Sequence, residues 1–351
     1  MMPNKRCTTL GRTRLKIGII YNLPTKTHYG EDIDYLAEIE ILDQVKAVQN
    51  ALINLGFDYN IFPIKDDLEE VIRTLKAYRP DVVINLAEGY MGDSRFEMHI
   101  PSILELLGIP YTGSTPLTLG LCKDKGLAKS ILRANGIITP KYLVMERFRR
   151  PEGLSFPLIV KPLREDASIG ITRRSFVRNL RELETQVKYI NVVYRQPAIV
   201  EEYISGREFN VSIIGNKGPF ALSISEIIFE FEEEPRIVDY AAKWLKNSEE
   251  YAKTKPVCPA EIREELKHNI EDGAFKAYRV LGCRDYARVD VRLENKTGIP
   301  YVLEVNPNPD ISPEAGFVRS LKAAGISFED FIMKIISFAL SRANKSPSEP
   351  S

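Results

Sequence analysis

The chain has 351 residues, of which 44% are hydrophobic and 27% charged, the make-up of an ordinary globular protein of two or three domains. Lys plus Arg and Asp plus Glu number 48 each, so no global field draws the chain to nucleic acid or to an anionic membrane, and no apolar run reaches the length of a membrane span. The cysteines Cys7, Cys122, Cys258 and Cys283 show no CxxC spacing and the only histidines are His28, His99 and His268, which argues against zinc, disulfide and imidazole chemistry.

Residues 1–14 read as a tail without the apolar segment of a signal peptide, which predicts a cytoplasmic protein. Residues 16–21 (KIGIIY) then form a buried-strand pattern. After a polar loop over 22–32, Ile33, Leu36, Ile39, Leu42, Val45, Val48, Leu52 and Leu55 recur at spacings of three and four up to Gly56. That periodicity predicts one long helix with a glycine stop. Residues 59–64 read as a strand, 68–78 as a helix and 81–85 (DVVIN) as a third strand, so 15–115 is expected to be a parallel α/β layer. Ligands of such sheets gather at the carboxyl ends of the strands, which singles out the loops 22–32 and 86–93. Glu40 and Glu88 become candidates for substrate contact, against the plain alternative of surface carboxylates.

Residues 108–113 (GIPYTG) read as a strand and turn, and 116–136 as helical with basic Lys123, Lys125 and Lys129. From residue 140 short strands and hairpin signals dominate, over 158–161, 169–173, 198–202, 208–214 and 220–228, with helices over 176–189 and 260–281. That change of style predicts an α+β region, divided into a central segment 116–200 and a C-terminal segment 201–343. The Ser/Pro-rich stretch 344–351 reads as a disordered tail.

Several residues in this region carry chemistry. Lys161 ends an apolar strand, where its ammonium needs an anion, and the loop after it, 164–170, is small at its end, the kind of backbone that folds over phosphates. Glu201, Glu202 and Glu208 flank a turn at Ser205-Gly206, as a site for nucleoside edges or as a charged strand edge. Lys243 adjoins the only tryptophan, Trp244. The most informative stretch is 285–312. Tyr286, Arg288, Asp290 and Arg292 alternate with Ala287, Val289, Val291 and Leu293, and a second strand puts Val302, Glu304 and Asn306 on one face. A hairpin centred on Thr297 sets Asp290 opposite Glu304 and Arg288 opposite Asn306. Opposed carboxylates destabilise a sheet unless a cation joins them, and an all-oxygen set suits magnesium or manganese. Arg288 would hold an anion beside the metal. The plain alternative is a wet polar face with an Arg–Asp ion pair.

The order of these motifs, Lys125 in KDKGLAK, Lys161 in LIVKP, Glu201 in VEEYISGREF, Lys243, ARVDV and LEVNPNP, resembles the ATP-grasp fold and within it the D-alanine–D-alanine ligase family. The likeness runs from about Lys16 to Arg342. It implies an N-terminal parallel α/β domain followed by two antiparallel sheets that hold ATP between them. It further implies Lys125, Lys161, Lys243 and Ser168 at the phosphates, Glu201 and Ile204 at the adenine, and Glu208 at the ribose. Asp290, Glu304 and Asn306 would hold magnesium, and Arg288, with Ser168, would serve catalysis. The implied reaction joins a small-molecule carboxylate or amino acid to an amine through an acylphosphate, and the family pattern suits a homodimer through the N-terminal domain. A non-catalytic ATP-binding scaffold is the competing reading, disfavoured by Arg288; a dinucleotide enzyme lacks its glycine fingerprint.

The departures from the family pattern fall where substrate would sit. A His-Gly pair is replaced by Glu88-Gly89, a Gly-Ser-Ser phosphate loop by Asp166-Ala167-Ser168, and a tyrosine by Trp244. The run after Asn306 becomes Pro307-Asn308-Pro309-Asp310-Ile311-Ser312. Asp310 and Ser312 therefore join Glu40 and Glu88 as expected substrate contacts. Added negative charge there favours a basic or amine-bearing acceptor.

Overall fold

The computed structural model describes residues 15–26 and 29–343; the expected tails over 1–14 and 344–351, and His28, lie outside them. Strand β1 (Lys16–Asn22) buries both faces, as the central strand of a parallel sheet must. It lies between β2 (Asp58–Ile64) and β3 (Val82–Asn85), each paired parallel to it. The helix expected over 33–55 is interrupted: α1 (Tyr35–Ile39) ends and α2 (Ile41–Asn54) begins on either side of Glu40. The reason lies in the spacing. Ile33, Leu36, Ile39 and Leu42 recur strictly every third residue, a stripe that rotates off the core face of a 3.6-residue helix, and all four are exposed. Helices α3 (Leu68–Tyr78) and α4 (His99–Leu106) cover the opposite face of the sheet. Residues 108–113 contribute only a single bridge, Val83 to Tyr111, rather than a strand.

The helical run expected over 116–136 is also two helices, α5 (Pro116–Lys123) and α6 (Lys125–Ala134). Asp124 separates them in extended geometry and caps α6, its side chain accepting from the Leu127 N–H. Next come β4 (Tyr142–Met145), β5 (Leu158–Pro162), β6 (Phe176–Val177), α7 (Leu180–Val193) and β7 (Ala198–Glu202). Their strands form an antiparallel sheet in the order β4-β7-β5-β6. The strand expected over 169–173 is a turn, because Thr172 and Ser175 form a capping box there. The helix expected from 176 starts at 180, where Asn179 caps it.

The second antiparallel sheet has six strands. These are β8 (Gly206–Ile214), β9 (Phe220–Ala221), β10 (Ser225–Phe229), β11 (Thr254–Val257), β12 (Tyr286–Glu294) and β13 (Pro300–Asn306), ordered β11-β10-β8-β12-β13 with β9 beside β8. The strand expected over 220–228 is therefore split. Between and after these strands run α8 (Tyr240–Trp244), α9 (Glu249–Ala252), α10 (Glu264–Val280), α11 (Gly316–Ala323) and α12 (Phe328–Ala343). Phe209, Val211, Ile213, Val289 and Val291 give the sheet an apolar face against α10, and Ala128 and Leu132 of α6 join the same core. Phe317 and Phe331 of the last two helices pack with Ile17, Ile19 and Val48 of the N-terminal layer and with Ile214 and Tyr286 of the six-stranded sheet. The four-stranded sheet has its own core of Leu158, Val160, Leu183, Val187, Ile190 and Val200. Among the described residues no helix is long and apolar enough to cross a membrane.

Candidate active site

The polar face of the six-stranded sheet is built by alternation on two neighbouring strands. Glu208, Asn210 and Ser212 of β8 lie opposite Arg292, Asp290 and Arg288 of β12. On the other side of β12, Asp290 faces Glu304 and Arg288 faces Asn306, the register expected from the sequence. The Asp290 carboxylate accepts from Arg288 Nε and Nη2 at 2.7 and 2.9 Å, from Asn210 Nδ2 at 2.7 Å and from Asn306 Nδ2 at 3.2 Å. One expectation for this hairpin changes. The pairing slips by one residue between Asp290 and Val291, so Leu303 is bulged. Val302 consequently turns into the core with Val305 instead of sharing the face of Glu304.

Towards the four-stranded sheet, Glu201 is 2% exposed and pairs with two lysines, Lys161 at 2.8 Å and Lys129 at 2.9 Å. Burial works to raise this carboxyl, but Lys129 and Lys161 overcome it and hold it at about 2. The Lys129 ammonium also donates to Thr139 Oγ1 and to the carbonyl of the bulged Leu303, both at 2.8 Å. Glu208 is ion-paired with Arg292, whose guanidinium also donates to the Ile204 carbonyl at 3.3 Å. The residues expected around a nucleoside are thus held by an ionic network within the protein.

The loop over 164–171 is fastened from several sides. Ala167, Ser168 and Gly170 adopt φ of 54°, 61° and 73°. Gly170 is the one that must be glycine, since a Cβ there would lie 2.5 Å from Pro162 Cγ. Ser168 Oγ donates to the Val238 carbonyl at 2.8 Å, and the Trp244 indole N–H donates to the Ala167 carbonyl at 2.9 Å. Lys243 places its ammonium 4.7 Å from the Trp244 ring, a cation–π contact. At the loop's start, Asp166 accepts from Lys123 at 2.6 Å and Lys125 at 3.0 Å. Burial opposes its ionisation, yet these two lysines hold it far below the usual carboxylate range.

A cavity of about 110 Å³ opens between these parts, and Glu40, Glu88, Lys243, Arg288, Asn306 and Asp310 all line it. Gln44 links its wall, donating to Glu88 Oε1 at 2.8 Å and accepting from the Ile311 N–H at 3.2 Å. Ser312 Oγ lies 3.3 Å from Glu40 and 3.1 Å from Asp310, so it donates between the two carboxylates. Burial, then the nearby Asp310 charge, raises Glu40 to about 7. Burial raises Glu88 to about 8 despite the hydrogen bond from Gln44. Lys125 and Glu304 line a smaller adjoining cavity with Lys129.

More than half of the chain, residues 132–337, matches the family model described as D-ala D-ala ligase C-terminus. A D-alanine–D-alanine ligase of Carboxydothermus hydrogenoformans is 34% identical over 309 residues, covering 85% of this chain and 93% of that one. The chain belongs to the D-alanine–D-alanine ligase family. An uncharacterized protein of Sinorhizobium fredii is 40% identical over 262 residues, 74% of each chain. Two crystal structures of the Bacillus anthracis D-alanine–D-alanine ligase each cover 94% of this chain and 98% of that one. The TM-scores are 0.73 at 29% identity and, for the form complexed with ATP, 0.68 at 27% identity. The ligase therefore has the ATP-grasp architecture, as expected, and is an ADP-forming, amide-bond-making enzyme that uses ATP.

Within the ligase the sequence-predicted residues fall into three connected groups. Arg288, Asp290, Glu304 and Asn306 share the β12–β13 hairpin; Lys161, Glu201, Ile204 and Glu208 lie in the ionic network; Glu40, Glu88, Asp310 and Ser312 form the carboxylate wall. Sequence reasoning missed Asn210, Gln44, Arg292 and the pairing of Lys123 with Asp166. Asn210 had a signal: in a strand read over 208–214 it shares a face with Glu208, so it belonged with the polar positions of the neighbouring strands.

Proposed function

We propose that this ligase joins a small-molecule carboxylate, an amino acid in the simplest case, to the amine of an acceptor that carries a further positive charge. The observation that carries the reading is one cavity whose lining brings Arg288 and Asn306 together with three carboxylates, Glu40, Glu88 and Asp310. Lys125, Lys161, Lys243 and Ser168 are assigned to the ATP phosphates, Glu201 and Ile204 to the adenine, and Glu208 to the ribose. Family position and the placement of these residues around the two sheets support the assignment.

Asp290, Glu304 and Asn306 offer hard oxygen donors in one register. Two carboxylates and an amide oxygen, with no nitrogen or sulfur ligand, are a donor set that fits magnesium or manganese, which keeps places for water and phosphate oxygens. A metal ion held there supplies charge neutralisation at the phosphoryl oxygens. The substrate carboxylate attacks the γ-phosphorus in line, giving an acylphosphate and ADP. The acceptor amine then attacks the acyl carbon, Arg288 donates to the oxygen that becomes negative, and phosphate leaves as the amide forms. Glu40, at about 7, is matched to receiving the amine's proton at neutral pH. The loop over 164–171, tied down through Trp244 and Ser168, keeps water from the acylphosphate.

The test is phosphate release from ATP and magnesium with D-alanine alone, with single D- and L-amino acids, and with each paired with basic amino acids or diamines. Faster release with a basic acceptor, and an amide product containing it, is the expected result. Full turnover on D-alanine alone with no gain from any basic acceptor removes the acceptor assignment. ATP binding without release from any pair returns the scaffold reading.

A further inference from the structure

Helix α5 ends at Lys123 and α6 begins at Lys125, and the break between them decides what those two residues do. On a continuous helix, residues two apart point to nearly opposite sides. Here Asp124 is extended, at φ −90° and ψ 97°, and both lysines converge on the loop after β5. Asp124 also pins the start of that loop, accepting from Arg164 Nε and Nη2 at 3.1 and 2.9 Å. The target of the lysines is a single carboxylate: Asp166 Oδ2 lies 2.6 Å from Lys123 Nζ and Oδ1 lies 3.0 Å from Lys125 Nζ. Lys123 additionally contacts Glu97 at 2.7 Å, and Lys125 donates to the Glu165 carbonyl. Lys123 and Asp166 line the same cavity as Arg288 and Asn306.

Two ammonium groups divided between the two oxygens of one anion is also how a phosphoryl group is held. We propose that Lys123 and Lys125 form a two-lysine clamp for the terminal phosphates of the nucleotide, and that Asp166 occupies the clamp as a stand-in until nucleotide arrives. The proposal rests on the ATP site argued above and adds to it a phosphate-binding residue, Lys123, and a competing one, Asp166. The stand-in has a physical use. Two buried ammonium groups side by side repel and lose their hydration, and a carboxylate between them offsets both costs. The loop that carries it stays anchored beyond Asp166, through Ser168 to the Val238 carbonyl and through the Ala167 carbonyl to Trp244, so the carboxylate can leave the lysines while the loop remains in place.

The experiment measures the dissociation constants of AMP, ADP and ATP with magnesium by calorimetry, using the full chain as wild type, Asp166→Asn, Lys123→Met and the double variant. Asp166→Asn is expected to tighten ADP and ATP by about tenfold, the order of one charge-assisted hydrogen bond, and to leave AMP unchanged. Lys123→Met is expected to weaken ATP by a similar factor, and the double variant to fall back towards wild type. An ATP constant that is unchanged or weaker in Asp166→Asn, while wild type binds ATP, overturns the proposal, as does an equal change for AMP and ATP. Should Asp166→Asn fail to fold, Lys123→Met decides: wild-type ATP affinity in that variant overturns the clamp. A wild-type chain that binds none of the three nucleotides refutes the ATP site itself, and the clamp with it.

Discussion

Replacing Glu201 by Gln tests the ionic network between the sheets most directly. The side chain is 2% exposed and faces Lys129, equally buried, and Lys161. Glutamine keeps the shape and removes the charge, leaving two buried ammonium groups facing a neutral amide. The folded carboxyl sits at about 2 against an ordinary 4.5. At about 1.4 kcal/mol for each tenfold in acidity, that difference is worth roughly 3 kcal/mol. Breaking a buried pair by removing one partner costs about 3–5 kcal/mol in general, so two routes agree. With an unfolding entropy of about 2.1 cal/mol/K per residue, a 351-residue chain then melts roughly 4 °C lower. Because the folded pKa is depressed, the stabilisation is complete above the ordinary carboxylate pKa and is lost as pH falls from there towards about 2. Thermal melts of both proteins should therefore differ by a constant gap from pH 8 to 5, narrowing only below about 4.5. An unchanged melting temperature at pH 7 would refute the reasoning, since it would mean that Lys129 gives up its proton without cost.

Asp290→Asn should lower phosphate release by about 100-fold or more through weakened metal binding, and wild-type turnover at saturating magnesium would remove Asp290 from the metal site. Gly170→Ala imposes a side chain at φ +73° and 2.5 Å from Pro162 Cγ. A cost of about 1–2 kcal/mol from the backbone alone should appear as a lower melting temperature, and an unaltered melt would show that the loop rearranges freely. Glu88, at about 8, loses its proton as pH rises from 7 to 9, so the KM for a cationic acceptor should fall across that window and flatten in Glu88→Gln. Its folded pKa is raised, so the same carboxyl costs stability as pH climbs through 8; Glu88→Gln should melt higher than wild type at pH 9, and equal melts would contradict its burial.

The β12–β13 hairpin was readable from the chain because two local signals agree, a period of two in the side chains and turn residues at Asn295, Thr297 and Gly298. The bulge at Leu303 left no such trace. One extra residue in a strand changes no composition, yet it sends Val302 inward and frees a carbonyl for Lys129. Asn210 stands 80 residues before Asp290, and its role depends on β8 lying beside β12, which strand patterns alone do not order. The Lys123 pairing was closer to hand. In Lys-Asp-Lys the aspartate is an N-cap signal, and reading it as a helix start would have predicted the break that brings both lysines to one loop. Gln44, Glu40 and Ser312 meet only because α2 packs beneath the chain after Asn306, a contact between residues some 270 apart that periodicity cannot supply. The last two helices drew no separate reading from the sequence, although they bind the N-terminal layer to the six-stranded sheet.

That shared packing divides the molecule mechanically. The N-terminal layer, the last two helices and the six-stranded sheet are joined through common cores, and α5 and α6 belong to the same mass. The four-stranded sheet has a core of its own, so it is the part that can swing as a jaw against the remainder. Lys161, Asp166 and Glu201 ride on the jaw, whereas Lys123, Lys125 and Lys129 stand on the frame. Lys123 with Asp166 and Lys129 with Glu201 are therefore latches across the gape. Swinging the jaw open would part these pairs together with Lys125 from Asp166 and Arg164 from Asp124.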